Sequence, residues 1–253
     1  MICAYCKGDF PKLIKAHIIP RSFFKIIRGS SKYSVVVNAS EKGVKKEYKQ
    51  AGIFDDEILC QKCEQLFGPY DNYGYKAFTE VLAKRQIYVD DQGNPCALLF
   101  QNLDYGLLKL FVLSMLWRAS VSRHTFFSKV RLGPYEEVIR QMIHNRELGN
   151  PDEFSFICLH SIAQKYPHLI IPPWLTKMST VSYYRFYLPD ITVLIKVDKR
   201  PFPSEFQTLA IRPSPPHYLA FMPHQDSSEE RYIEGAAQIM REHHKRNEDN
   251  SKH

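Results

Sequence analysis

The sequence predicts an α+β protein in which a small cysteine-bound N-terminal module joins a larger body of helices and an antiparallel sheet. Three observations predict it. Two Cys-x-x-Cys pairs, Cys3/Cys6 and Cys60/Cys63, frame the first part of the chain. A stretch of helical periodicity begins at Asn102, and the second half alternates short runs of strand composition with proline and polar clusters. Length and composition agree with this plan: 253 residues, 44% hydrophobic and 24% charged, are ordinary for a globular chain.

The cysteine pairs carry the most specific signal. Each pair can bring two thiolates from one tight turn to a single tetrahedral metal ion, and the second pair closes the shell. The long gap between Cys6 and Cys60 predicts a split arrangement, with a knuckle and a helix start supplying ligands around an inserted hairpin. Structural zinc is the expected metal. A four-thiolate shell leaves no open coordination position, so this metal is expected to hold the fold while any catalysis comes from elsewhere. Cys96 and Cys158 sit in apolar surroundings without nearby ligands and are expected in the core.

Between the pairs the chain is strongly basic. From Lys12 to Lys49 it carries ten Lys/Arg against Glu41 and Glu47, a local charge of +8 in a chain whose total is +7. A basic stretch beside a metal module suits a phosphate backbone, whose neutralisation releases condensed counterions. A solvated loop kept soluble by its lysines is the plainer alternative. Residues 1 to about 85 lack long helical periodicity. From Leu103 to Ser122 apolar residues recur at three- and four-residue spacing, predicting a largely buried helix. Gly133-Pro134 before Glu136 and Glu137 starts another helix, expected to stop at Gly149-Asn150-Pro151. FSFICLHS, VSYYRFYL, ITVLIKVD, TLAIR and YLAFM then read as strands, with Pro189-Asp190 as a turn. A last amphipathic helix follows Ser227 or Ser228, where His243 and His244 read as a solvated polar end. The domain expectation is 1–85 for the module, 86–245 for the body and 246–253 for a polar tail.

No apolar run is long enough to span a bilayer and no signal peptide is visible, so the chain is expected to be cytoplasmic, without a membrane partner. No phosphate-cradling glycine loop and no Ser-His-Asp order is present, which argues against nucleotide-driven and acyl-transfer chemistry. Tyr70, Tyr73, Tyr75 and Phe78 could stack on bases or pack around the module.

The segment Lys15-Ala16-His17-Ile18-Ile19-Pro20-Arg21, with Cys-Ala-Tyr-Cys before it and Ile-Leu-Cys-Gln-Lys-Cys-Glu after it, resembles the HNH family of metal-dependent nucleases. It is most similar to the subgroup whose treble-clef, ββα-metal fold is braced by a four-cysteine zinc. The resemblance covers about residues 1–80. It implies hydrolysis of phosphodiester bonds, most often in double-stranded DNA, with His17 as the general base that deprotonates the attacking water. It implies Asp56, or Asp55, in the place of the middle asparagine that orients the base. It also implies a catalytic Mg2+ or Mn2+. Two positions depart from the pattern: Ala16 stands where a metal ligand often precedes the base, and Glu64 stands where the last histidine commonly follows the second cysteine pair. The ion would then rest on Glu64 and Asp71, with Asp55, Asp56 and Glu57 as further candidates. Glu64 and Asp71 share a face only if one helix runs through Gly68-Pro69. Lys15, Arg21, Lys42, Lys45 and Lys46 are the expected phosphate contacts, and the body could supply a homodimer contact. The alternatives are a catalytically degenerate module that binds nucleic acid, and a zinc-stabilised interaction protein.

Overall fold

A computed structural model describes residues 1–29, 34–40, 43–49, 52–160 and 170–221, with 34–40 and 43–49 as main chain. The expected helix after Ser227, the polar tail and Lys42 lie outside the described residues. The chain is α+β. The N-terminal part runs β1 (Ile14–His17), α1 (Arg21–Arg28), β2 (Ser34–Ser40), β3 (Gly43–Lys49), β4 (Phe54–Leu59) and α2 (Gln61–Lys84). β1 pairs antiparallel with β4, and β2 with β3. The β2–β3 hairpin is thus inserted in the chain between the paired strands β1 and β4.

The body continues with β5 (Ile87–Val89), β6 (Pro95–Phe100), α3 (Tyr105–Val121), α4 (Tyr135–Asn145), β7 (Phe156–His160), β8 (Trp174–Met178), β9 (Val181–Leu188), β10 (Ile191–Lys196), α5 (Ser204–Gln207) and β11 (His217–Phe221). Seven strands form one sheet in the order β5-β6-β11-β7-β10-β9-β8. The sheet is mixed, which corrects the antiparallel expectation: β11 runs parallel to β7. The TLAIR segment is not a strand; its backbone meets the sheet at a bridge from Ala210 to Ile157, and Leu209 and Ala210 pack with Ile157 and Leu194. Pro189-Asp190 is the turn between β9 and β10, with Asp190 at φ 63°.

The central element is α3. Asp104 caps it by accepting from the Leu107 N–H, and fourteen of its seventeen residues are buried. A helix buried on nearly every side is the pivot of its domain. One side meets the sheet and another meets α2, where Phe67 stacks on Trp117 and Phe78 meets Phe111 edge-on, centroids 6.1 Å apart in both pairs. Gly74 permits this approach, because a Cβ there would run into the Phe111 ring. Buried residues of the N-terminal part and of the body belong to one continuous core.

The 24-residue α2 stands in a region whose sequence lacks long helical periodicity. It continues through Gly68-Pro69 and ends on Arg85 in the left-handed conformation. Tertiary burial of Phe67, Tyr70, Phe78 and Val81 outweighs the local breakers. α4 ends at Asn145, earlier than expected, because Arg146 takes the left-handed cap position. Tyr70 and Phe78 are buried, and Tyr73 and Tyr75 pack against the core, so this aromatic set serves packing. Cys158 lies in the core, but Cys96 does not: it is half-buried on β6, its thiol toward the Tyr88 carbonyl.

Candidate metal centre and the His17 site

The first three residues of the knuckle bridge back to its end, Ile2 opposite Asp9, so that Cys3 and Cys6 face one another. Lys7, at φ 61°, makes the tight reversal, and its N–H donates to the Cys3 carbonyl at 2.9 Å. The Ala4 N–H donates to the Ile58 carbonyl, which ties the knuckle to the end of β4. There Cys60 occupies the N-cap of α2 and Cys63 its first turn. The four sulfurs lie within 4.8 Å of one another, with Cys6 Sγ and Cys60 Sγ 4.0 Å apart. A tetrahedral thiolate shell at about 2.3 Å from a metal sets sulfurs about 3.8 Å apart, so a small contraction completes it. These residues fit a four-coordinate structural metal. Among the described residues no other three metal-ligating side chains converge in this way.

Electrostatics differ among the thiols. Burial pushes Cys3 up, but hydrogen bonds from backbone N–H groups, including that of Cys60 at 3.4 Å, outweigh it and bring Cys3 down to about 7. Burial pushes Cys6 up, and burial together with the neighbouring thiols pushes Cys63 up. A cation in the centre would deprotonate all four.

One residue past Cys63, α2 turns its next side chains toward β1. The Glu64 Oε1 accepts the His17 backbone N–H at 3.3 Å, and Glu64 Oε2 is buried with no hydrogen-bond partner. Burial raises the Glu64 carboxyl, and Asp71 adds to the rise, while Arg118 and the His17 N–H pull it down. Asp71 lies on the same helix and meets a side chain that the sequence reading did not place: Arg118 of α3. Arg118 is fully buried and uses all five of its N–H groups. Nη1 donates to the His17 carbonyl at 2.6 Å and to Asp71 Oδ2 at 2.9 Å. Nη2 donates to Asp71 Oδ1 at 2.6 Å and to Ser114 Oγ at 3.3 Å, and Nε donates to the Ser114 carbonyl at 3.1 Å. The guanidinium also lies 5.0 Å from the centre of the Phe67 ring. This bidentate, fully donated geometry is what makes a buried arginine tolerable. The signal for it was a lone cation in the apolar run Phe111 to Ala119.

The remaining acids are dispersed. Asp55, opposite Ala16 in the β1–β4 register, faces inward and accepts from the Glu57 N–H, the Ser122 hydroxyl and the Arg123 N–H. Asp55 therefore ties β4 to the end of α3. Asp56 is exposed, and Glu57 pairs at the surface with Arg123 at 3.0 Å. His17 is half-buried at the end of β1, with its ring 6.2 Å from Phe54. Lys15 is exposed, with its ammonium 4.7 Å above that same ring, and Arg21 is exposed at the start of α1. Lys45 and Lys46 lie on β3 opposite Asn38 and Val37. His17, Glu64, Asp71 and Arg118 thus form one cluster, while Asp55 and Asp56 stand outside it.

Among the described residues, no helix is long and apolar enough to cross a membrane. No family model, no curated protein and no solved structure matches the chain.

Proposed function

We propose that the chain is a zinc-braced nucleic-acid-binding module on an HNH-like frame, whose His17 centre has exchanged a hydrolytic ion for an internal arginine. The observation that carries this reading is the Arg118 guanidinium, which occupies both oxygens of Asp71 and the His17 carbonyl. A hard divalent ion needs several oxygen ligands. Here Ala16 offers none, Asp55 and Asp71 are taken, and one Glu64 oxygen remains beside a fixed positive charge. The residues present therefore do not fit a resident Mg2+ or Mn2+.

The four thiolates would hold zinc, the metal whose tetrahedral, sulfur-rich preference they match. The basic stretch between the cysteine pairs would supply affinity for phosphates without reading sequence. Lys15 and Arg21, exposed on either side of His17, support a surface suited to a nucleic-acid backbone.

A second reading, the endonuclease with His17 as general base, is favoured by one observation. Glu64 Oε2 is a buried acceptor without a donor, and such an atom is where a cation or its water would bind. One experiment separates the two. Purified protein is mixed with supercoiled DNA and Mg2+, Mn2+ or Ni2+, beside His17→Ala, and binding is measured against salt. Salt-sensitive binding without nicking supports the binding module. Metal-dependent nicking lost in His17→Ala would establish the enzyme and displace it. An absence of salt-sensitive binding to DNA and to RNA would leave the zinc-stabilised interaction protein.

A further inference from the structure

β5 ends the seven-stranded sheet, and among the described residues it pairs only with β6. Edge strands of this kind are usually blunted by charge or proline. This one presents three successive apolar residues to solvent: Ile87, Tyr88 and Val89 are 55%, 41% and 47% exposed. The charges lie at its two ends with opposite sign, in the sequence Lys84-Arg85-Gln86-Ile87-Tyr88-Val89-Asp90-Asp91.

The hydrogen-bond phase of the strand is fixed by its neighbours. The Gln86 carbonyl accepts from Leu99 and the Asp90 N–H donates to Asn94, so these even-numbered residues turn toward β6. Alternation in an antiparallel ladder then turns the N–H and C=O of Ile87 and Val89 to the open side. An open edge with polarity reversed end to end is complementary to itself under a two-fold axis.

We propose that β5 is a self-association edge that pairs antiparallel with β5 of a second copy of this chain, on an axis through Tyr88. In that register Ile87 of each copy exchanges both backbone bonds with Val89 of the other. Tyr88 faces its own counterpart, and Arg85 of each copy meets Asp91 of the other. Both charges are exposed, and neither has an ion pair among the described residues. By contrast Lys84 is held by Glu80 at 2.6 Å, and Asp90 is engaged in its own turn by the Gln92 and Asn94 N–H groups. The two sheets become one continuous sheet, and the exposed apolar residues of both edges are covered. The strand is short, so the dimer dissociates on dilution. This inference is independent of the nucleic-acid reading.

Sedimentation velocity of the full chain over a wide concentration range tests it. The wild type is expected to move from monomer to dimer. Arg85→Glu alone and Asp91→Arg alone each place like charges opposite one another twice, and each is expected to weaken the dimer about tenfold or more. The combined Arg85→Glu/Asp91→Arg protein restores the pairs with signs exchanged and regains wild-type association. Val89→Pro, which removes an outward N–H that the β6 ladder does not use, is expected to abolish dimerisation with a nearly unchanged Tm. A wild type that stays monomeric, or a dimer indifferent to both single reversals, overturns the proposal and makes the flanking charges simple guards against aggregation.

Discussion

α2 carries two clusters of ligand-type side chains within its first three turns, and they solve the same electrostatic problem in opposite ways. At Cys60 and Cys63 four sulfurs converge, and no basic side chain among the described residues is a main cause of the shifts at Cys3, Cys6 or Cys63. At Glu64 and Asp71 two carboxylates converge on a cation that the chain does supply, the guanidinium of Arg118. The first arrangement fits a metal ion, and in the second the guanidinium already pairs Asp71 and leaves only Glu64 without a partner charge of its own. Ligand identity alone therefore does not make an ion site. What counts is the charge left over after the protein's own groups are paired.

The largest expected effect breaks the first cluster. Cys63→Ser, or metal removal by a chelator, should lose the bound metal and unfold the N-terminal part. Structural zinc contributes on the order of 10 kcal/mol in small fingers, and here a loss of at least about 4 kcal/mol is expected. Metal content by mass spectrometry and denaturant unfolding report it; a metal-free protein of unchanged stability would contradict the comparison.

The next effect turns the second cluster into a copy of the first. Arg118→Met leaves the half-buried Asp71 beside Glu64 with no cation, and should destabilise the fold by about 3 kcal/mol. The same variant should bind Mn2+ more tightly than the wild type, measurable by calorimetry. Asp71→Asn in the Arg118→Met background should recover part of the stability and reverse the gain in metal binding.

The body contains a second buried cation that serves as a control. Lys109 is buried in α3, with its ammonium donating to the Glu153 carbonyl at 2.8 Å and lying 3.4 Å from that of Asn150. Burial is the main cause that lowers it from 10.5 to about 8. Between those values the unfolded chain binds more protons than the folded one, so stability should rise as pH increases from about 8 to 10.5. Below about 8 the cost of burying the charge is fully present. Lys109→Met should reduce this alkaline rise, to which Lys196, also lowered by burial, contributes in the same direction; urea unfolding across that range measures it.

The smallest effect concerns the surface. Lys45→Ala with Lys46→Ala should leave stability unchanged and lower the slope of log affinity against log salt by about 2. An unchanged slope would place the phosphate contacts elsewhere.

How much of this was legible in the sequence depends on the range of the interaction involved. The metal centre was legible because Cys-x-x-Cys spacing encodes its own geometry, and α3 because its apolar periodicity is local. α2 was not, because Gly68-Pro69 speaks against a helix locally and only packing against Trp117 and Phe111 overrules it. The parallel partner of β11 could not be read, since strand order is decided by the whole sheet. Arg118 was visible as an odd charge in an apolar run, but its partners were not, being 47 and 101 residues away at Asp71 and His17. β5 had a turn signal in Asp90 to Asn94 but too few residues to announce a strand.

The reach of Arg118 back to His17 also fixes an order of events during synthesis. A ribosome exposes all four cysteines before it exposes α3. At about 5–20 residues per second the metal centre has several seconds in which it can close while Asp71 still lacks its counter-charge. Residues that later meet Arg118 are then the last part of the N-terminal region to settle. A nascent chain truncated before α3 would therefore carry all four cysteines but lack both the counter-charge of Asp71 and the rings that α2 packs against.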